Sequence, residues 1–143
     1  MHRFLIGLGL SGIATLALAA APALPTHEAP ADAKVYLISP ADGATVGRDM
    51  TVRFGLSGMG VAPAGIEKEH TGHHHLLIDM ATLPPAGQPI PNDDHHRHFG
   101  GGQTETVLHL SPGTHTLQLE LGDANHVPFD PPVVSRKITV HVK

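Results

Sequence analysis

The sequence predicts an all-β domain, an immunoglobulin-like β-sandwich of about seven strands with long His-rich loops. Short apolar segments alternate with polar residues at a period of two, and Pro/Gly turns separate these segments. After the first 33 residues, no stretch of useful length shows the helical spacing of apolar residues. Several short strands within about 110 residues are typical of such a sandwich.

Each predicted strand rests on a local pattern. Segment 34–39 is rich in β-forming residues and ends at Pro40, and segment 50–57 alternates apolar and polar residues as a half-buried strand does. Segments 104–110 and 114–121 flank the turn sequence Ser-Pro-Gly, which predicts a hairpin. The remaining predicted strands are 73–80 and 133–142.

The second hairpin strand and the long connections carry the main expectations about packing. Leu117, Leu119 and Leu121 occupy every second position, so we expect them to form one row of the core. Connections 58–72 and 81–103 are too long to be simple links in a compact domain. We therefore expect these two loops to be functional or mobile.

The N-terminal residues have the organisation of a secretory signal. Arg3 precedes an uncharged apolar run from Phe4 to about Ala21, which contains the cleavage pattern Ala17-Leu18-Ala19. An uncleaved membrane anchor is the alternative, because the run is nearly long enough to span a bilayer. We expect a periplasmic or secreted protein without membrane association after cleavage. The predicted organisation is a signal peptide over 1–23, a flexible leader over 24–33 and the β-sandwich over 34–143.

Composition excludes several classes of function. The chain has no Cys, which rules out disulfides, thiolate metal sites and Cys nucleophiles. A formal net charge of -4 argues against nucleic acid as a partner, since phosphate binding needs a basic field. Aromatic residues make up only 3% of the chain, but 13 of its 143 residues are His. A small, acidic, His-rich domain points to transition-metal chemistry.

The histidines of segment 73–80 are divided by the alternation of a strand. His74 shares a face with Leu76 and Ile78, whereas His73 and His75 share the opposite face. Two imidazoles at this spacing, about 7 Å apart, can chelate one ion. A polar strand edge without metal is the alternative reading of the same pattern.

A second pair, His96 and His98, has the same spacing and lies in the loop 81–103, and His126 lies in the loop after the last leucine of the hairpin. Loops at the end of a sandwich converge in space, so these histidines can meet the first pair. The candidate ligands of a copper or zinc ion are His73, His75, His96, His98 and His126. His109 and His141 are expected on the surface, and His115 either in a buried hydrogen bond or at a pocket.

Six segments form recognisable motifs: SPADGATV (39–46), GMGVAPAG (58–65), TGHHHLLID (71–79), HFGGGQTE (98–105), GTHTLQLELGD (113–123) and HVPFDPPV (126–133). Together they resemble a family of short exported bacterial proteins, the domain of unknown function 4399 family, over about residues 34–142. The resemblance implies a periplasmic β-sandwich and carries no particular activity. It also leads us to expect His at the position of Phe129.

Three functions fit these observations. The first is a non-enzymatic periplasmic protein that binds copper or zinc through its histidines, with another periplasmic protein as a further candidate partner. The second is a small zinc-dependent hydrolase with Glu105 or Asp79 as the base. The third is a cell-envelope adhesion or interaction module that holds no metal. Metal content separates the third function from the others, and turnover of ester substrates separates the second.

Overall fold

The computed structural model describes residues 21–143, and these residues are all-β, with no helix among them. Nine strands occur in this range: β1 (Lys34–Ser39), β2 (Ala44–Val46), β3 (Asp49–Ser57), β4 (Gly60–Val61), β5 (Thr71–Ile78), β6 (His96–His98), β7 (Glu105–His109), β8 (Gly113–Gly122) and β9 (Ile138–Val142). Residues 21–143 therefore contain no helix that could cross a membrane. Nearly all of the predicted signal peptide, 1–20, lies outside the described residues.

The sequence pattern located the long strands and missed the short ones. Strands β1, β3, β5, β7 and β8 coincide with predicted segments to within two residues at each end. The three strands that were not predicted have two or three residues each, too few for an alternation to be recognised. Strand β9 begins five residues after the predicted start at 133, because the preceding residues make only an isolated bridge from Val134 to Glu120.

The strands form two sheets with the apolar core between them. One sheet has three strands in the order β1-β3-β7, and the other has six in the order β2-β9-β8-β5-β4, with β6 paired to β5. Val52 and Phe54 of the first sheet pack in one cluster with Leu117, Leu119 and Leu121 of the second. The three leucines are fully buried, which confirms the predicted core row.

The six-stranded sheet is buried on its outer face as well. In β5, His74, Leu76 and Ile78 face the core, and the alternate residues His73, His75 and Leu77 are no more exposed, at 1% or less. The loop 81–103 pairs with the edge of β5, where Ile78 donates its backbone N–H to the carbonyl oxygen of His95. Its buried Ile90 donates a backbone N–H to His126, whose ring lies against that of His73 on the outer face. The long loop 81–103 and the loop after β8 thus enclose a second, smaller buried layer.

The leader over 24–33, expected to be flexible, makes specific contacts. The backbone N–H of Leu24 donates to Gly87 at 2.7 Å, and the backbone N–H of Asp130 donates to His27 at 3.0 Å. An extended segment can pair with loop backbone groups that have no partner in a sheet, and its composition does not reveal this. The leader therefore connects two loops that are distant in the sequence.

Replacing Leu119 with Ala is expected to lower the free energy of unfolding by about 2–5 kcal/mol, because the side chain is fully buried between the two sheets. Urea denaturation of both proteins, followed by circular dichroism, measures the difference. Val107→Ala, on an exposed side chain of β7, is the control and should change stability by less than about 0.5 kcal/mol. Equal effects of the two substitutions would contradict this packing.

Candidate metal centre

Four histidines converge on one point at the outer face of the six-stranded sheet. His73 and His75 lie in β5, His98 ends β6, and His126 lies in the loop after β8. One ring nitrogen from each lies within 4.8 Å of the others, and Nε2 of His73 is 3.2 Å from Nδ1 of His126. We call these four residues the histidine centre.

Strand register decides which histidines meet. His98 lies directly opposite His75 in the antiparallel pair β5–β6, so the two rings stack with their centroids 5.1 Å apart. His96 lies two residues before His98 in β6 and is opposite Leu77. Its Nδ1 is 2.8 Å from Oδ1 of Asp93 instead. The structure therefore does not bring His96 together with the other four candidates, because in this register only His98 of the second pair lies opposite a histidine of β5.

The fourth histidine is positioned by a tight loop that Asp123 organises. Oδ1 of Asp123 accepts hydrogen bonds from the backbone N–H groups of Asn125 at 2.8 Å and Val127 at 2.9 Å. Within this loop His126 has a φ of 66°, which turns its ring back toward β5. Oδ2 of Asp123 is 2.9 Å from Nδ1 of His27, so the leader contacts the same carboxylate. The sequence analysis did not identify Asp123, although Asp followed by turn residues is a signal for such a loop.

Two glycines leave space for the rings. A Cβ atom at Gly122 would lie 2.7 Å from Cε1 of His75, and one at Gly100 would overlap the ring of His98. Real Cβ atoms do not approach other atoms so closely, so a larger residue at either position would displace a histidine. The rings of His75 and His98 can therefore occupy these positions only because Gly122 and Gly100 have no side chain.

Burial favours the neutral form of His73, His75 and His98. Burial, together with a smaller effect of the neighbouring imidazoles, lowers the pKa of His73 to about 4 and that of His75 to about 2. Burial and the adjacent His126 also lower the pKa of His98. Nδ1 of His73, Nε2 of His98 and both ring nitrogens of His75 have no hydrogen-bond partner among residues 21–143. Neutral imidazoles with free nitrogens are in the form that coordinates metal ions.

The remaining candidates lie elsewhere. His109 and His141 are exposed, as expected. His115 lies between Oδ2 of Asp79, at 2.7 Å from its Nδ1, and the carbonyl oxygen of Ser111, at 2.9 Å from its Nε2. Both of its ring nitrogens are therefore hydrogen-bonded, and it is not part of the histidine centre. These acceptors favour the charged imidazole, and the hydrogen bond to the Asp79 carboxylate raises the pKa of His115.

Neither acidic residue suggested as a hydrolytic base belongs to the centre. Asp79 is engaged by His115 and by the backbone N–H of Thr116. Glu105 lies in the three-stranded sheet, where its carboxylate accepts a hydrogen bond from Arg53 at 3.0 Å. The structure therefore assigns both carboxylates to local contacts within the fold.

One acidic residue near the centre escaped the sequence analysis. Glu120 of β8 is fully buried directly opposite His75, and neither of its carboxylate oxygens has a hydrogen-bond partner within the described part of the chain. Burial raises the pKa of Glu120 to about 7. In an alternating strand, a Glu between leucines is predicted to face solvent. The local pattern cannot show that both faces of the sheet are covered.

Fold and site together define a class: an all-β domain whose clustered histidines could hold a metal ion. Residues 52–143 match the family model described as Domain of unknown function (DUF4399), so the chain belongs to this family, which confirms the predicted family. No curated protein and no solved structure matches the chain.

Acid should destabilise the metal-free protein steeply. The folded-state pKa values of His73 and His74 are about 4 and that of His75 about 2, all lowered from 6.5, so the unfolded chain alone takes up these three protons as the pH falls below 6.5. Glu120 acts in the opposite sense, since its pKa rises from 4.5 to about 7 on folding. A net uptake of about two protons on unfolding corresponds to about 2.7 kcal/mol per pH unit between about pH 4.5 and 6.

Urea denaturation in the presence of a chelator, repeated from pH 7.5 downward, measures this slope. His74→Leu is the control, because His74 packs against Phe54 in the core and lies outside the histidine centre. Its slope should be lower by about one proton, or about 1.4 kcal/mol per pH unit. A wild-type stability that stays constant between pH 7 and 5 would show that these imidazoles are not buried.

Gly122→Ala should weaken metal binding while the fold is retained, because the new Cβ atom would meet the ring of His75. We expect a loss of affinity for Zn(II) of about tenfold or more. Gly47→Ala is the matched control, since a Cβ atom there comes no closer than 3.9 Å to any atom outside the adjacent residues. Competition with a chromophoric chelator measures both affinities. An unchanged affinity in Gly122→Ala would mean that the ring of His75 is not a ligand.

Proposed function

We propose that this protein is a periplasmic, non-enzymatic metal-binding protein that holds one copper or zinc ion at His73, His75, His98 and His126. The observation that carries the proposal is the convergence of four buried or partly buried imidazoles, with ring nitrogens within 4.8 Å of one another. Unpaired polar atoms in a protein interior cost free energy unless a ligand or water satisfies them. A metal ion would satisfy several of them at once.

The donor set favours Cu(II) and Zn(II). Neutral imidazole binds both ions well, and the order of intrinsic affinities among divalent metals peaks at copper. The absence of Cys from the sequence leaves no thiolate to draw the site toward softer ions. Tetrahedral zinc with bonds of about 2.0–2.1 Å places its nitrogen ligands about 3.3 Å apart. The 3.2 Å between Nε2 of His73 and Nδ1 of His126 is close to this value.

A binding role is favoured over hydrolysis by the number of ligands and their surroundings. Catalytic zinc sites usually have three protein ligands and one open position, and closed sites have four. The histidine centre supplies four nitrogen donors, and the two carboxylates considered as bases make other contacts. We therefore propose buffering, carriage or sensing of the ion rather than chemistry on a substrate.

The proposed location follows from the N-terminal sequence. The basic start, the apolar run and the cleavage pattern within 1–23 are those of an exported protein. An exported domain without Cys must be stabilised by core burial or by a bound ligand. A periplasmic location would also expose the protein to copper and zinc taken up from outside the cell.

Calorimetric titration of the untagged protein with Cu(II) and Zn(II) tests the proposal. We expect one ion per chain for the wild type and loss of this site in His75→Ala and His98→Ala. His96→Ala and His109→Ala are matched controls, because both residues are histidines outside the histidine centre. They should retain the stoichiometry and affinity of the wild type. Several weak sites that respond equally to all four substitutions would instead indicate a merely His-rich surface and contradict the proposal.

We further propose that the two sheets form an immunoglobulin-like sandwich. In such sandwiches strands A, B and E lie in one sheet, and strands C, F and G in the other. The sheet β1-β3-β7 fits the first set, and the neighbours β9-β8-β5 fit the second. An experimental structure with another strand order would contradict this assignment.

A further inference from the structure

Glu120 is a buried carboxylate to which the proposed function gives no role. It is 0% exposed, and it is not one of the four residues whose ligand atoms converge. Neither carboxylate oxygen has a hydrogen-bond partner, and no ion pair among residues 21–143 includes it. An unpaired carboxylate inside a protein is costly. Its presence therefore calls for a compensating group nearby.

The strand register places Glu120 beside one of the proposed ligands. In the antiparallel pair β5–β8, Glu120 lies directly opposite His75. Side chains opposite each other point to the same face, with Cβ atoms about 4.5–5.5 Å apart. Both ring nitrogens of His75 are also without a partner in the described chain. The carboxylate of Glu120, a buried acceptor, and the ring of His75, a buried donor, thus lie directly opposite each other, and neither has a partner among the residues described.

The neighbours of Glu120 do not offer an alternative partner. Gln118, the next residue of β8 on the same face, donates its side-chain amide to the carbonyl oxygen of Ser135 at 2.9 Å. Gly122, the following residue on this face, has no side chain and lies opposite His73. On the other side Val134, which bridges to Glu120, has an apolar side chain. Within residues 21–143, the ring nitrogens of β5 without a partner on this face are those of His75, directly opposite Glu120, and Nδ1 of His73, one position further along the same face.

We propose that Glu120 is a positioning and specificity-determining residue of the histidine centre, a role that rests on the proposed metal binding. In the proposed metal-bound state its carboxylate accepts a hydrogen bond from the ring N–H of His75 that does not face the ion, whereas the structure of residues 21–143 leaves both groups without a partner. Histidine ligands commonly donate their second nitrogen to a carboxylate, which fixes the ring and its tautomer. The negative charge also stabilises a doubly charged ion more than a singly charged one, because the Coulomb energy scales with the product of the charges.

This role has a consequence that a purely structural role lacks. Without the ion, Glu120 is an uncompensated buried group, so replacing it with a neutral isostere should not destabilise the protein. With the ion bound, the same replacement removes a favourable interaction. In a variant with a neutral isostere of Glu120, the metal affinity should therefore fall. The stability of the metal-free protein should rise or stay the same.

The test compares wild type, Glu120→Gln and the control Gln118→Ala, which changes the same face of the same strand. The affinities of all three for Zn(II), Cu(II) and Cu(I) are measured by competition with chromophoric chelators. The thermal midpoint of each metal-free protein is measured in parallel. Glu120→Met, an apolar side chain of similar length, serves as a second variant.

We expect Glu120→Gln to bind Zn(II) and Cu(II) about 10–100-fold more weakly and Cu(I) with a smaller loss. Each tenfold difference between the two copper states raises the Cu(II)/Cu(I) potential by about 59 mV. The metal-free midpoint should stay the same or rise. Gln118→Ala should leave the ratio of Cu(II) to Cu(I) affinity unchanged.

Equal losses for all three ions together with a lower metal-free midpoint would overturn the proposal in favour of a structural role. Wild-type affinities in Glu120→Gln would overturn it and leave the histidine centre intact. Failure of both Glu120 variants to fold would assign Glu120 to the fold alone and also overturn the proposal. A wild-type protein that binds no single ion would overturn this proposal and the proposed function together.

Discussion

The burial of both faces of β5 is the constraint on which the rest of the structure depends. One face packs into the core between the sheets, and the other, with His73, His75 and Leu77, lies beneath loops. Three consecutive histidines in such a strand must be neutral, because a charged imidazole would lose its hydration without a partner. The loops, the short strand β6 and the glycines opposite the rings are all consistent with this requirement.

The histidine centre joins segments that are far apart in the chain. Strand β5 supplies two rings, β6 supplies one by pairing directly with it, and the loop after β8 supplies the fourth. Asp123 fixes that loop and also contacts His27 of the leader. An ion at this position would cross-link elements of the domain in much the way that disulfides do, in a chain that has no Cys.

Stability and the proposed metal binding make opposite demands on this site. Buried imidazoles and the buried carboxylate of Glu120 leave polar atoms unsatisfied in the part of the chain described here. A core built for stability alone would place apolar residues at these positions, as it does at Leu77 one step along the strand. Under the proposed function, these polar groups form a prepared site whose cost in free energy is recovered when the ion binds.

The sequence by itself determined the long strands, the leucine row of β8 and the faces of the histidines in β5, because alternation at a period of two is a local property of the chain. It also brought His98 and His126 into the set of candidates. Only the tertiary structure separated His96 from the other four candidates, because pairing register is fixed by contacts between strands. For the same reason Glu120 could not be recognised as buried, since its environment comes from a partner strand and loops that local pattern does not specify.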